Sequence, residues 1–448
     1  MKGQRHATIV AGLGFGDEGK GTMVDYFSRK SGVSAVVRFN GGPQARHAVV
    51  TPDGRQHVFS QFGSGVLKPG VRTHLSRFMI VDPIDLLAEA QALRKIRCPW
   101  ALDLLTVDQD ALVVTPYHKR MTVAMELLRG NGLHGSCGMG IGEVMRLSFL
   151  ESDLVVRVRD LRDICSLRKR IRRIKRFLDI DLARAVSHHG MQDRFKDFTH
   201  WSDTATAMQW AQVLHDASRH FRVVGSDYMR DIVDSGSLVF EGAQGVLLDE
   251  WYGFHPHTTW STTTFTNAQT LLREIEFDGS VEKIGVLRAY HTRHGAGPFV
   301  TEDSALTHML PDMHNDDFGP QGVFRVGWFD MVLAHYALTV SGGADALAVT
   351  NLDRFRTVSE RKICMAYRTL EGDLIERLTT KSELTDLAHQ EALTHLLHQV
   401  APQYVAAPTP DEDYIQMIEQ YLGVPVAITS HGPTAADKRM RLPVVLAA

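Results

Sequence analysis

Residues Gly12-Leu-Gly-Phe-Gly-Asp-Glu-Gly-Lys-Gly21 constrain this chain more than any other stretch. The apolar run Ala7-Thr-Ile-Val-Ala11 before them reads as a buried strand, and Thr22-Met-Val-Asp-Tyr-Phe-Ser-Arg29 after them reads as a helix. Strand, glycine turn, lysine and helix present backbone N–H groups and a helix N-terminus to phosphate. The spacing Gly14-x4-Gly19-Lys20 fits a phosphate loop, but Gly21 follows where a metal-holding hydroxyl is usual. Asp17 stands inside the loop instead. A carboxylate among phosphates is costly unless it ligates the metal or moves a proton, so the loop reads as catalytic as well as phosphate-binding. Lys20 would neutralise the β- and γ-phosphates, and the successive amides from Gly16 through Asp17, Glu18, Gly19 and Lys20 to Gly21 would form the cradle. Asp17 also occupies the last glycine's place in GxGxxG, which sets the loop apart from a dinucleotide fingerprint.

A chain of 448 residues has room for one large α/β domain or a few smaller ones. Apolar residues make up 44%, enough for a sizeable core. A net charge of −3 gives no general attraction to nucleic acid or an anionic membrane. No stretch approaches the roughly 18 apolar residues of a membrane span, and Met-Lys-Gly-Gln-Arg-His at the start lacks a signal-peptide core. The four cysteines, Cys98, Cys137, Cys165 and Cys364, are scattered and form no CxxC pair. They read as reduced thiols, and the expected setting is cytoplasmic.

Strand-like runs at Ala7–Ala11, Ala35–Phe39, Ser237–Phe240, Lys283–Ala289 and Ala344–Thr350 alternate with helical segments. That alternation predicts an α/β fold with a large, mostly parallel central sheet and flanking helices. The chain is expected to form a single domain over 1–448, with helical insertions roughly within 85–235. Several strands end in glycine-rich or polar turns: Asn40-Gly-Gly-Pro43, Glu241-Gly-Ala-Gln-Gly245 and Thr350-Asn-Leu-Asp353. Ligands bind beyond the carboxyl ends of such strands, so these turns should converge. Between Arg157 and Arg176, ten Lys/Arg meet two Asp. The segment reads as a solvated helix face, with Ile171, Ile174 and Phe177 turned inward.

Further groups carry candidate chemistry. Asp353, at a strand's end, can accept both N1–H and N2–H of guanine, a pairing adenine cannot offer; a helix cap explains the same aspartate equally well. His47, just beyond a Gly-Gly turn, suits a general acid near neutral pH. Gln244, between small residues, suits an amide-like edge such as a purine. Pro256-His-Thr-Thr-Trp-Ser-Thr-Thr-Thr264 supplies hydroxyls for phosphate or sugar oxygens, or is simply a polar loop.

Taken in order, these segments resemble the adenylosuccinate synthetase family over nearly the whole chain. Gly16-Asp-Glu-Gly-Lys-Gly21 with Val24-Asp25 resembles its signature loop, and Val37-Arg-Phe-Asn-Gly-Gly42 with His47 its next motif. Gly135-Ser-Cys-Gly-Met-Gly-Ile-Gly142, Glu241–Gly245, Ala289-Tyr-His-Thr-Arg-His-Gly-Ala-Gly-Pro-Phe299 and Gly327-Trp-Phe-Asp330 are similarly placed. Thr350–Asp353 and Ser430-His-Gly-Pro433 look like the family's guanine-reading segments. The resemblance implies a P-loop-like ligase fold and a GTP-dependent, two-step ligation. Asp17 would take the N1 proton of IMP while O6 attacks the γ-phosphate of GTP, with Lys20 and Gln244 assisting. His47 would protonate or hydrogen-bond the transferring phosphoryl group, and L-aspartate would then displace phosphate to give adenylosuccinate. GTP would lie on Gly16 to Thr22, on Asn351, Leu352 and Asp353, and on Ser430, His431 and Gly432. The acceptor would meet Asn40, Gln44, Ala45, Arg46, His47, Ser136, Cys137, Gln244 and Thr259. Mg²⁺ would be held by Asp17, the GTP phosphates and the backbone carbonyl of Arg46. A homodimer is implied, without nucleic acid or membrane partners.

The departures from the family's pattern are concentrated. Its amine-donor loop is rich in threonine and arginine, whereas Gly319-Pro-Gln-Gly-Val-Phe-Arg325 keeps one cation, with Pro320, Gln321, Gly322, Val323 and Phe324 ahead of Arg325. Met139 replaces an arginine, Arg46 a glycine, and Asn351 a lysine; the arginine lent across the dimer has no clear counterpart in Glu143–Ser148. Arg46, Arg293 and Arg325 are candidate replacements. One alternative is a paralogous ligase joining a different amine or acting on a different carbonyl acceptor. Another is a guanine-nucleotide-binding protein that no longer ligates.

Overall fold

The structure, a computed structural model, describes residues 5–130, 135–191, 195, 204–312 and 322–442. Ten strands form the main sheet: β1 His6–Gly12, β2 Val33–Arg38, β3 Arg72–Leu75, β4 Leu105–Asp108, β5 Arg222–Val224, β6 Ser237–Glu241, β7 Ser280–Arg288, β8 Ala346–Thr350, β9 Val426–Ser430 and β10 Lys438–Met440. Their order is β10-β9-β8-β7-β1-β6-β2-β3-β4-β5. Pairing is parallel throughout except for the antiparallel edge strand β10. The five strands read from the sequence are the contiguous centre, β8-β7-β1-β6-β2.

Both faces of that centre are covered, which is why β1 reads as an unbroken apolar run. Ala7, Ile9 and Ala11 pack on one face with Phe240, Leu271 and Leu272, while Val10 packs on the other with Met23, Val24 and Phe27. Each of these Val, Leu, Ile, Phe and Met side chains stabilises the fold by about 1.5–3 kcal/mol relative to exposure, and the alanines by less.

Residues 85–235 are largely helical, yet they also supply β4 and β5 to the sheet. The helices needed below are α1 Lys20–Ser28, α2 Pro83–Lys95, α3 Pro116–Arg129, α4 Ile141–Leu150 and α5 Ile164–His188. Thr115 and Pro116 start α3 with a cap and a pre-set φ, and Gly130 ends it at φ 56. In α5, Leu167, Ile171, Ile174, Leu178 and Leu182 form one buried stripe. Phe177 is half-buried beside it. The opposite, basic face is spent locally: Arg170 donates to the carbonyls of Ser152 and Val155, and Arg173 pairs with Glu151 and Asp153. Among the described residues, no helix is long and apolar enough to cross a membrane.

Candidate active site

Because the central strands are parallel, their carboxyl ends lie along one side, and the predicted turns meet there. The loop after β1 is closed tightly. Gly19 caps α1 with φ 89, and Lys20, the first helical residue, is 2% exposed. Its Nζ donates to Gly16 O at 2.9 Å and to Glu18 Oε2 at 2.7 Å, while Glu18 Oε1 accepts from Gly16 N at 2.7 Å. Thr350 at the end of β8 donates to Glu18 O at 2.6 Å, so the Thr350–Asp353 turn and the Gly12–Gly21 loop are tied together. The absent hydroxyl has a packing reason: a Cβ at Gly21 would stand 2.8 Å from the Cβ of His47. A serine or threonine there would push the histidine away.

A cavity of about 750 Å³ opens beside this loop. Asp17, His47 and Gln244 reach it from the ends of three separate segments, and Gln44, Ala45, Arg46, Ser136, Cys137 and Thr259 also line it. Burial pushes the Asp17 carboxyl above its ordinary value; Arg288 pulls it down and Glu18 pushes it up. Arg288, itself buried, donates to the backbone oxygen of Asp17 at 3.2 Å. Gln244 sits at φ 55, a left-handed backbone unusual for a side chain of its size. Its buried Oε1, and both amide atoms of Gln44, have no hydrogen-bond partner among the described residues. Unpartnered amides on residues that line a cavity are groups a ligand can satisfy.

His47 is placed by residues that sequence reading missed. Its Nδ1 lies 2.6 Å from Glu241 Oε1. Ser64 donates its hydroxyl to that oxygen and its backbone N–H to Glu241 Oε2 at 2.8 Å. The histidine and Arg38 draw the Glu241 carboxyl below its ordinary value against the cost of burial. Burial holds His47 below its own ordinary value, although Glu241 pulls it up. Glu241 stood in plain view beside Gln244, but nothing local marks it as a partner of position 47.

Other expected residues have different tasks. Asn40 does not face the cavity: its amide nitrogen donates to Ala243 O at 3.0 Å and its oxygen accepts from Ala243 N at 2.7 Å, clamping the 241–245 turn. Leu352 is buried in the apolar core, so its side chain is closed to a nucleotide. Asn351 caps the helix Leu352–Phe355 in a left-handed conformation, with Asp353 in its first turn. Ser430 Oγ donates to Gly432 O at 3.2 Å, and His431 Nε2 lies 3.0 Å from Thr429 Oγ1. Thr22 Oγ1 reaches Pro433 O at 2.9 Å and ties this late loop to α1.

In the amine-donor segment, Gly319, Pro320 and Gln321 lie outside the described residues. Val323 is 56% exposed, and Phe324 is buried against the ring of His294. Arg325 is not among the residues lining the cavity and bonds Glu302 and the carbonyls of Gly295 and Gly297. Of the three candidate replacements, Arg46 and Arg293 line the cavity. Among the described residues, no group of three or more His, Cys, Asp or Glu is arranged to hold a metal.

Comparison with known proteins agrees with this geometry. The sequence model of the adenylosuccinate synthetase family matches residues 9–438. The adenylosuccinate synthetase of Thermoplasma volcanium is 31% identical, with 95% of this chain and 94% of that one covered. That of Oleidesulfovibrio alaskensis is also 31% identical, covering 95% and 97%. In fold, the chain is similar to a fully ligated adenylosuccinate synthetase from Plasmodium falciparum, with a TM-score of 0.78 at 21% identity over 97% of this chain and 99% of that one. It is also similar to the succinoaminodeoxyadenylate synthetase of cyanophage S-2L, bound to dGMP and dATP, with a TM-score of 0.60 at 17% identity over 98% and 95%. With the family's sequence pattern present from β1 to β10, this chain belongs to the adenylosuccinate synthetase family of GTP-dependent, carbon–nitrogen bond-forming ligases.

Proposed function

We propose that this chain uses GTP to phosphorylate the 6-oxygen of IMP and then displaces that phosphate with L-aspartate, giving adenylosuccinate. The observation that carries the assignment of roles is the meeting of Asp17, His47 and Gln244 in one cavity beside the Gly16–Thr22 loop. A carboxyl raised by burial is a better base than an ordinary one, so Asp17 is suited to take the N1 proton of a lactam. Loss of that proton places charge on O6, the atom that attacks the γ-phosphorus. Gln244 offers its unpartnered amide to the same purine edge. Lys20 exchanges its bonds to Glu18 and Gly16 O for phosphate oxygens. His47, held by Glu241, turns Nε2 toward the transferring group. Phosphorylation converts a poor leaving oxygen into a good one, and the amine completes the second step.

The donors present fit Mg²⁺, which is commonly bound by one or two carboxylates plus substrate phosphates. Asp17 and the Arg46 backbone carbonyl would hold it, and when bound it supplies charge neutralisation at the phosphates. A homodimer in the cytoplasm is the working assembly in this reading. Exposed Phe149 and Leu150 on α4, with Val123 and Leu127 on α3, offer apolar area for a second copy.

The test is phosphate release from GTP, measured with IMP and L-aspartate added singly and together. Release that depends on both, with adenylosuccinate formed and Asp17→Asn inactive, supports the reading. A second reading, a less acidic amine in place of aspartate, is favoured by buried Phe324 and diverted Arg325. Full turnover with L-aspartate and none with neutral amines removes it. GTP binding without phosphate release under any of these conditions would point to the nucleotide-binding alternative.

A further inference from the structure

Four guanidinium groups line the cavity: Arg46, Arg129, Arg146 and Arg293. Arg46 adjoins His47 at the reactive end. Arg293, 1% exposed, is bound to the carbonyls of Ala296 at 3.1 Å and Pro298 at 2.8 Å. The other two stand on α3 and α4, the wall supplied by the helical region rather than by the strand ends. Arg146 donates Nε and Nη2 to one oxygen of Glu143, at 3.0 and 2.9 Å, and Nη2 also meets Asp181 at 2.6 Å. Arg129 pairs with Glu126 through Nη1, and its charge also acts on the Glu143 carboxyl. Among the described residues, nothing bonds Arg146 Nη1 or the Nε and Nη2 of Arg129. Glu143 also lines the cavity. Glu143 thus occupies the Arg146 fork at a wall of the cavity that Arg129 also lines.

Nucleotide chemistry says what such a position could receive. In a purine nucleotide the sugar is attached at N9, across the ring system from C6. An acceptor with C6 beside Asp17 and Gln244 therefore carries its 5′-phosphate away from that end. Arginine forks match phosphate oxygens, and a phosphate dianion can take the place of Glu143 while Asp181 and Glu126 stay as the arginines' other partners. We propose that Arg129 and Arg146 receive the acceptor's 5′-phosphate from within the same chain, and that Glu143 is the placeholder the phosphate displaces. This rests on the nucleotide-acceptor reading above and names the groups that execute it.

The test compares IMP with inosine, which lacks the phosphate, in the full-length protein. Arg129→Met and Arg146→Met should each raise KM for IMP about tenfold to a hundredfold, with KM for GTP unchanged. Both should shrink the preference for IMP over inosine in equilibrium binding. Glu143→Gln should tighten IMP binding severalfold and leave inosine unaffected, an effect that a merely structural carboxylate would not produce. Should Arg146→Met unfold, Arg146→Lys keeps the charge without the fork and should give an intermediate loss. If the wild type turns over IMP and the variants match its KM, the proposal is overturned, and the phosphate is held elsewhere, for instance by a second copy. A wild type that neither binds IMP nor releases phosphate with it overturns the functional reading, and this inference with it.

Discussion

His47 Nδ1 and Glu241 Oε1 meet at 2.6 Å across 194 positions of sequence. With the Nδ1 proton directed at Glu241, Nε2 remains for a ligand. Before nucleotide binds, burial keeps the imidazole below its ordinary range and therefore neutral near pH 7. An arriving phosphoryl group adds the negative charge that raises it. His47→Asn is expected to lower kcat by about 10² to 10⁴. Glu241→Gln should cost less, because Glu241 acts through His47. Removing its charge lowers the imidazole further, so the alkaline limb of the kcat profile should move to lower pH. An unmoved limb would disprove the coupling.

Asp17 predicts the opposite limb. Its carboxyl is raised above 3.8, first by burial, and the base must be ionised to act. Activity with IMP should therefore fall on acidification while the pH is still above the ordinary carboxylate range. Arg288 pulls the same carboxyl down, so Arg288→Met should shift the acid limb of kcat/KM further up. Asp17→Asn should lower kcat by at least about 10². Steady-state profiles with saturating GTP would check all three, and an acid limb at or below 3.8 in the wild type would defeat the assignment.

What could be read in advance follows from how far each signal reaches along the chain. β1, β2, β6, β7 and β8 announced themselves because strands buried on both faces need continuous apolar runs. β3 (Arg72-Thr-His-Leu75) and β4 (Leu105-Thr-Val-Asp108) carry polar residues and only four positions each, so no periodicity develops. The strand, glycine turn and helix around Gly12–Gly21 follow one another along the chain, so that layout was legible from local signals alone. The Glu241–Ser64 support of His47 depends on β6 lying beside β2, a matter of strand order that spacing does not encode. The bonds of Asn40 are hidden from the sequence for the same reason. Its polar amide beside a glycine turn looks like a ligand group, but β6 brings Ala243 close enough to consume it.

Asp353 should set the choice of base. Guanine presents two donors, N1–H and N2–H, to one carboxylate, whereas xanthine presents a donor and an acceptor. Asp353→Asn offers one acceptor and one donor, the complement of xanthine. KM for GTP should rise by about tenfold to a hundredfold, as expected when hydrogen bonds to a charged group are lost. Use of XTP should appear in the same variant. Phosphate release assayed with both nucleotides decides it, and an unchanged preference for GTP would leave Asp353 as a first-turn carboxylate of that helix alone.

Asp330 predicts a pH dependence of stability that is independent of catalysis. Fully buried at the start of the helix Met331–Val340, it accepts from Leu333 N at 3.0 Å and from the Tyr367 hydroxyl at 2.7 Å. Burial outweighs both bonds and pushes its carboxyl up to about 7. In the unfolded chain the ordinary value is 3.8, so between the two values the native state binds the extra proton. The stabilisation is fully present below 3.8 and is lost as pH rises through about 7. In Asp330→Asn the amide oxygen still accepts from Leu333 N, the amide nitrogen donates to the Tyr367 hydroxyl, and the side chain caps the helix comparably without ever ionising. The variant's advantage over wild type should therefore grow from about pH 4 to about pH 7 and level off above, reaching at most about 4 kcal/mol. Urea denaturation at about pH 5 and about pH 8 measures the difference. Equal shifts at the two pH values would mean that Asp330 does not titrate in this range.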